Sequence, residues 1–301
     1  MSVSELINSV KSTIAVILVF LLLPVSSLET KVTHEAKNGE ELVASFTVLS
    51  DCHVETNNYD SYSLFKTILL DAKATETKDA AIFLGDNTMN GQVAENALFF
   101  GALKAVRPAD ETLVVMGNHD VGNGEGDYEK MSKQFLSYNK TFLGESHEKP
   151  YFYKVIKGCY LICLATEEST VNTMKMTDGQ YNWLKAVLDE ADEKDAPIFV
   201  FNHYPVNYME GDYEYLSDLL NDYESLVYFS GHNHFALTEY SFSVTNGVRG
   251  INLPRCTETV TQGHDCGIGA VVEVYEDEVL VRIRNFVTGQ WLTEFERSYS
   301  I

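Results

Sequence analysis

Short apolar runs, each broken off by a polar or glycine-bearing turn, recur along most of this chain. Residues 43–49, 80–84, 113–116, 198–201 and 226–230 are too short for helices and rich in Val, Ile and Phe, so each reads as a buried strand. Between them the period changes. Residues 62–74 space Leu64, Ile68 and Leu69 along one helical face, and 96–106 and 128–138 read as further helices. Thr177 with Gln180 three residues on has capping-box spacing and predicts a helix to about residue 191; a short one follows over 213–220. Residues 151–156 and 159–165 predict a hairpin turned by Lys157-Gly158, and 270–275, 279–285 and 291–295 predict successive antiparallel strands. Strands alternating with helices place the chain in the α/β class. With no internal repeat, residues 43–301 read as one domain.

The N-terminus follows a different pattern. Lys11 precedes an apolar run over 13–23, a length that suits a signal-peptide core, then Pro24 and the small residues Ser26 and Ser27. Residues 1–27 are therefore expected to be a signal peptide or an uncleaved membrane anchor, with 28–42 a polar linker. Either way the expected location is secreted or extracytoplasmic, possibly membrane-anchored.

Charge narrows the partners. The 301 residues carry 44 acids against 22 bases, a formal net charge of -22. Such a field repels polyanions, so no nucleic-acid polymer is expected as partner, and no membrane contact except through an N-terminal anchor. The five cysteines are an odd number. Cys159 and Cys163, four residues apart on one strand, are ~13 Å from each other and cannot bridge. Cys256 and Cys266 flank a Gly/Thr-rich loop; they read either as a disulfide closing it or as packed thiols.

The chemistry collects where strands end. Asp51-x-His53, Gly85-Asp86, Gly117-Asn118-His119-Asp120, His203 and Gly231-His232-Asn233-His234 each follow a buried strand, the place where α/β folds put their sites. Residues two apart at a strand end converge once the strand relaxes into a loop. Carboxylate, imidazole and amide form a donor set suited to Mn, Fe or Zn. There are too many donors for one tetrahedral ion. Two ions bridged by a carboxylate would use them all, and such a pair is a known clamp for phosphoryl displacement, in which a hydroxide shared by two cations is nucleophilic at neutral pH. Cys52, between two of these residues, is expected by alternation to point away as a packed thiol. His34, His147 and His264 are isolated and expected to face solvent, while Tyr204 and Tyr208 are candidates for lining a substrate pocket.

The ordered series of five blocks, over residues 43–240, resembles the calcineurin-like metallophosphoesterase superfamily. The resemblance implies a four-layer α/β/β/α sandwich of two mixed β-sheets with a dinuclear centre at the strand C-termini. It implies that Asp51, His53, Asp86 and His234 hold one metal, and that Asp86, as the bridge, with Asn118, His203 and His232 holds the other. His119 would be the general acid near the leaving group, with Asp120 orienting it. Where many relatives carry an acid or a tyrosine three residues after the aspartate of Gly-Asp, this chain has Met89, which sets it apart from purple acid phosphatases. The expected function is hydrolysis of phosphate mono- or diesters of small molecules. Alternatives are a cyclic-nucleotide or lipid-type phosphodiesterase, and a non-catalytic metal-binding scaffold of the same fold.

Overall fold

In a computed structural model of the chain, residues 41–75, 79–209, 213–257 and 266–301 are described. The leader, nearly all of the linker, His34 and His264 lie outside them. In chain order the strands are β1 (Ala44–Leu49), β2 (Ala80–Phe83), β3 (Glu111–Val114), β4 (Phe152–Ile156), β5 (Cys159–Cys163), β6 (Ile198–Phe201) and β7 (Leu226–Ser230). They continue as β8 (Val244–Thr245), β9 (Val248–Asn252), β10 (Ile268–Val274), β11 (Glu278–Asn285), β12 (Gln290–Trp291) and β13 (Arg297–Ser300). The α-helices are α1 (Tyr59–Ala74), α2 (Val93–Val106), α3 (Tyr128–Tyr138), α4 (Asp178–Asp192) and α5 (Tyr213–Asn221).

Two mixed sheets form. The first runs β12-β11-β10-β1-β2-β3, with β13 also on β11; the second runs β4-β5-β6-β7-β9-β8. Within them β1-β2-β3 and β5-β6-β7-β9 are parallel, so the C-terminal ends of the chemistry-bearing strands lie together.

Alternation decides the layers, because both faces of the central strands are buried. Ala80, Ile82, Leu113 and Val115 point inward to the other sheet, where Phe46 meets Phe199 edge-on at 4.8 Å between ring centres. Ala81, Phe83, Val114 and Met116 point outward to Phe65, Ile68 and Leu69 of α1 and Phe99 and Phe100 of α2. On the other side Tyr160, Ile162, Ile198 and Val200 pack on Leu184 and Leu188 of α4 and Leu216 and Leu220 of α5. The result is the four-layer α/β/β/α sandwich.

Local chemistry sets the helix starts. Asn58 and Asp127 cap α1 and α3 by accepting from Ser61 N (3.0 Å) and Lys130 N (3.1 Å). Thr177 caps α4 through Gln180 N, but the Gln180 side chain does not turn back to the cap. It is spent on both backbone groups of Ala165, at 3.0 and 2.8 Å.

Two expectations are corrected and one open choice is decided. Residues 291–295 are not one strand: β12 and β13 both pair with β11, and the three extra residues between them bulge out as a 3-10 turn, Thr293–Phe295. His147 does not face solvent; it stacks on Phe152 at 3.9 Å, because it lies against the edge strand β4. Of the two readings of Cys256 and Cys266, the structure takes the unbridged one: all five cysteines are free. Cys256 instead packs its sulfur 3.4 Å from that of Cys52, behind the Asp51–His53 turn, so Cys52 does point away from the polar cluster.

Candidate metal centre

Each functional side chain is delivered by a strand that stops abruptly. Asp51, His53, Asp86, His232 and His234 all have left-handed backbones, with φ between 41° and 72°. Non-glycine residues rarely adopt this conformation, which is characteristic of over-determined functional turns. Here it turns residues two apart at one strand end toward a single point. Close approach of the turns requires glycine. A Cβ on Gly117 would overlap the backbone of Asp86, and one on Gly231 would overlap Ser50 Oγ and the Asp51 carboxylate.

The donors form two groups. Asp51, His53, Asp86 and His234 present ligand atoms within 4.8 Å of one another, and so do Asp86, His203 and His232. Asp51 Oδ1 is 2.9 Å from His234 Nε2, and His53 Nε2 is 3.1 Å from His234 Nε2. In the second group Asn118 Oδ1 lies 3.0 Å from His203 Nε2 and 3.1 Å from His232 Nδ1, which are 3.2 Å apart. Asp86 belongs to both: its Oδ2 is 3.6 Å from His53 Nε2 and 3.3 Å from His203 Nε2.

These separations fit cations. Two nitrogens bound tetrahedrally at ~2.0–2.1 Å stand about 3.3 Å apart, close to the spacings seen. The protons point the same way. His203 Nδ1 donates to Leu84 O at 3.0 Å, so the neutral ring turns a bare lone pair on Nε2 toward Asp86 Oδ2 and Asn118 Oδ1, which are acceptors as well. Acceptors facing acceptors in a buried place need a positive charge among them. With protein groups alone, a proton fills this need: burial disfavours the charged ring of His203, yet Asp86 and Asp51 outweigh it and push its pKa up to about 9. Burial likewise opposes ionisation of Asp51, but the charge of His203 and hydrogen bonds from His234 and His53 hold it well below the usual carboxylate range. Burial and the charge on His203 push His232 down to about 4.

A family model described as calcineurin-like phosphoesterase matches residues 44–236. The chain belongs to this family. Its fold is similar to that of a dimetal phosphatase from Danio rerio, with a TM-score of 0.62 and 18% identity, covering 86% of this chain and 99% of that one. Weaker likenesses are a conserved Streptococcus pneumoniae protein described as a predicted phosphoesterase (TM-score 0.40, 13% identity, 86% and 98% covered) and vacuolar protein sorting 29 from Cryptosporidium parvum (0.41, 12%, 86% and 98%). No curated protein sequence matches the chain.

Around this calcineurin-like centre two expectations change. His119 stands at its edge, its side chain 21% exposed and Nε2 3.9 Å from Asp86 Oδ2. Asp120 does not orient it. The Asp120 carboxylate turns inward and accepts from Gly117 N, from the backbone and side-chain nitrogens of Asn87, and from the backbone and hydroxyl of Thr88. The partner of His119 Nδ1 is the carbonyl oxygen of Met89, 2.6 Å away. Tyr204 is fully buried, wedged against the rings of His203 and His232, and so offers no surface to a substrate; half-buried Tyr208 reaches within 5.3 Å of the His232 ring.

Several supporting groups emerge only in the structure. Ser50 donates to Asp51 Oδ2, and Asn118 Nδ2 donates to Asn123 Oδ1 at 2.8 Å. Adjacency to Asp51 and the Gly-Asn-Gly run were the available signals for these two. The carbonyls of Met89 and Leu84 had none, since every residue carries one. A groove of about 250 Å³ runs beside the His232–His234 loop, lined in part by Asn207, Asn233, Phe235 and Tyr240.

Proposed function

We propose that this chain hydrolyses phosphate esters of small molecules, with Asp51, His53, Asp86 and His234 holding one ion and Asp86, Asn118, His203 and His232 a second. The observation that carries this reading is the position of Asp86 Oδ2, which faces both donor groups at once. When bound there, two ions supply Lewis acidity toward phosphoryl oxygens and acidify coordinated water. The chain's own residues supply the rest. Because His119 Nδ1–H is held by Met89 O, Nε2 is the nitrogen that faces the site and is free to carry a second proton. As water attacks phosphorus and the ester bond breaks, that proton passes from Nε2 to the leaving oxygen. The groove beside the His232–His234 loop offers room for an organic leaving group, with exposed Phe235 and Tyr240 as its apolar walls. The acidic surface charge supports small esters over nucleic-acid polymers. The leader-like residues 1–27 support export, and among the described residues no helix is long and apolar enough to cross a membrane.

The test is hydrolysis of para-nitrophenyl phosphate and bis-para-nitrophenyl phosphate by metal-stripped protein reloaded with manganese, beside Asp86→Asn. We expect metal-dependent turnover that the substitution abolishes, with the ratio of the two rates separating monoester from diester preference. Two bound ions with no turnover of either ester would leave a selective natural substrate or a metal-binding scaffold.

A further inference from the structure

The amide of Asn118 can point either way. Its two ends are nearly the same size, and only the oxygen can ligate a cation; the opposite orientation would aim two N–H donors at it. Geometry fixes the choice through a residue outside the donor groups. Asn118 Nδ2 donates to Asn123 Oδ1 at 2.8 Å, and Asn123 N donates to Asn118 O at 2.8 Å, so one residue grips both the side chain and the backbone of the other. With its nitrogen occupied, Asn118 leaves Oδ1 between His203 Nε2 and His232 Nδ1.

Asn123 is held for this task by a loop built on purpose. Gly122, Asn123 and Gly124 are left-handed in succession, with φ of 87°, 50° and 83°. Asparagine tolerates this conformation better than most side chains. Gly124 N donates to Ser169 Oγ at 3.1 Å, and that hydroxyl donates to Val121 O at 2.8 Å, so the loop is pinned to the segment that follows β5 in the other sheet. A Cβ on Gly124 would press on Val171 of the same segment.

We infer that Asn123 is a positioning residue: it locks the amide of Asn118 with its oxygen toward the cluster and thereby completes the second ion's donor set. This rests on the two-ion reading above and concerns the second ion alone. The first group, Asp51, His53, Asp86 and His234, owes nothing to Asn123.

The test compares Asn123→Gly, which keeps the left-handed backbone but deletes the acceptor, with Asn123→Asp, which keeps an acceptor at the same place. Metal-stripped proteins are titrated with manganese and followed by calorimetry and by electron paramagnetic resonance, where two neighbouring ions give a spin-coupled signal. The wild-type chain and Asn123→Asp are expected to bind two ions and show the coupled signal. Asn123→Gly is expected to keep the first affinity, to bind the second ion roughly 10–100-fold more weakly, the usual effect of losing a group that orients a ligand, and to show an uncoupled signal at low loading. Circular dichroism of the metal-stripped proteins checks that all three fold. Equal second-site affinities for Asn123→Gly and wild type would overturn the inference. So would an equal loss in both variants, since that would assign the effect to the backbone. A wild-type chain that binds one ion or none overturns the two-ion reading, and this inference with it.

Discussion

His119 Nδ1 lies 2.6 Å from the carbonyl oxygen of Met89, so a backbone group, and not the neighbouring aspartate, sets which nitrogen of the ring faces the site. Substituting His119 therefore removes a proton donor without disturbing the donor groups. We expect His119→Ala to bind metal as the wild type does and to lose ~10²–10⁴-fold in turnover, the usual worth of a positioned acid. An unchanged rate would remove His119 from the mechanism.

Asp120 has a different job. It is buried and gathers five donors from Gly117, Asn87 and Thr88, tying the β3 turn to the β2 turn. Burial and the charge of Asp86 push its pKa up to about 6. Asp120→Ala strands those donors, and at about 1–3 kcal/mol for each buried group left unpaired the loss should reach roughly 3 kcal/mol or more. Denaturant unfolding of the metal-stripped protein measures it. A loss under about 1 kcal/mol would show that the turn holds itself.

Metal and protons compete at His203. With its pKa up to about 9 in the absence of an ion, the ring is protonated at neutral pH and must release that proton to ligate. The affinity of the second site should rise with pH until about 9 and then level off. Calorimetric titration at pH 7 in buffers of different ionisation enthalpy should detect proton release; none would mean that His203 is already neutral at that pH before the ion binds.

The contact between Cys52 and Cys256 specifies which bridge can form. Their sulfurs are 3.4 Å apart, and Cys256 N donates to Ser50 O at 3.1 Å, which holds the two backbones side by side. Peptide mapping of protein refolded with a glutathione redox pair should find Cys52 joined to Cys256. A Cys256–Cys266 bridge would contradict this packing.

Gly231 tests how tightly the turns are fitted. In Gly231→Ala the new methyl group has nowhere to go between Ser50 Oγ and the Asp51 carboxylate. We expect metal uptake at the Asp51 group to fall at least tenfold, alongside overpacking of about 1–3 kcal/mol. Wild-type uptake would show that the β1 and β7 turns can separate.

What could be read from the sequence was the alternation of strand and polar turn, because at Asp51, Asp86, Asn118, His203 and His232 the apolar run and the polar group stand side by side. The outer helices were legible through their faces, as in Ile68 and Leu69, although the third residue of the α1 face is buried Phe65 and not half-buried Leu64. β9 was not: Val-Arg-Gly-Ile-Asn has no clean alternation, and its place beside β7 is a tertiary matter. Nor could the partner of Cys52 be found, 204 positions away along the chain. Asp120 looked like an orienting acid because it follows His119, whereas the 3-10 turn His119–Val121 sends neighbouring side chains apart.

The first sheet closes only when β10 pairs with β1, joining residues 44–48 to 270–274. The second sheet comes whole from residues 152–252. During synthesis, then, the half that carries His203, His232 and His234 can be paired while Asp51, Asp86 and Asn118 still hang from a sheet with an open edge at β1. A chain cut after residue 236, where the family match ends, would keep every donor and leave that edge bare, a template for pairing with another copy. Precipitation, more than slow catalysis, is the expected fate of such a fragment.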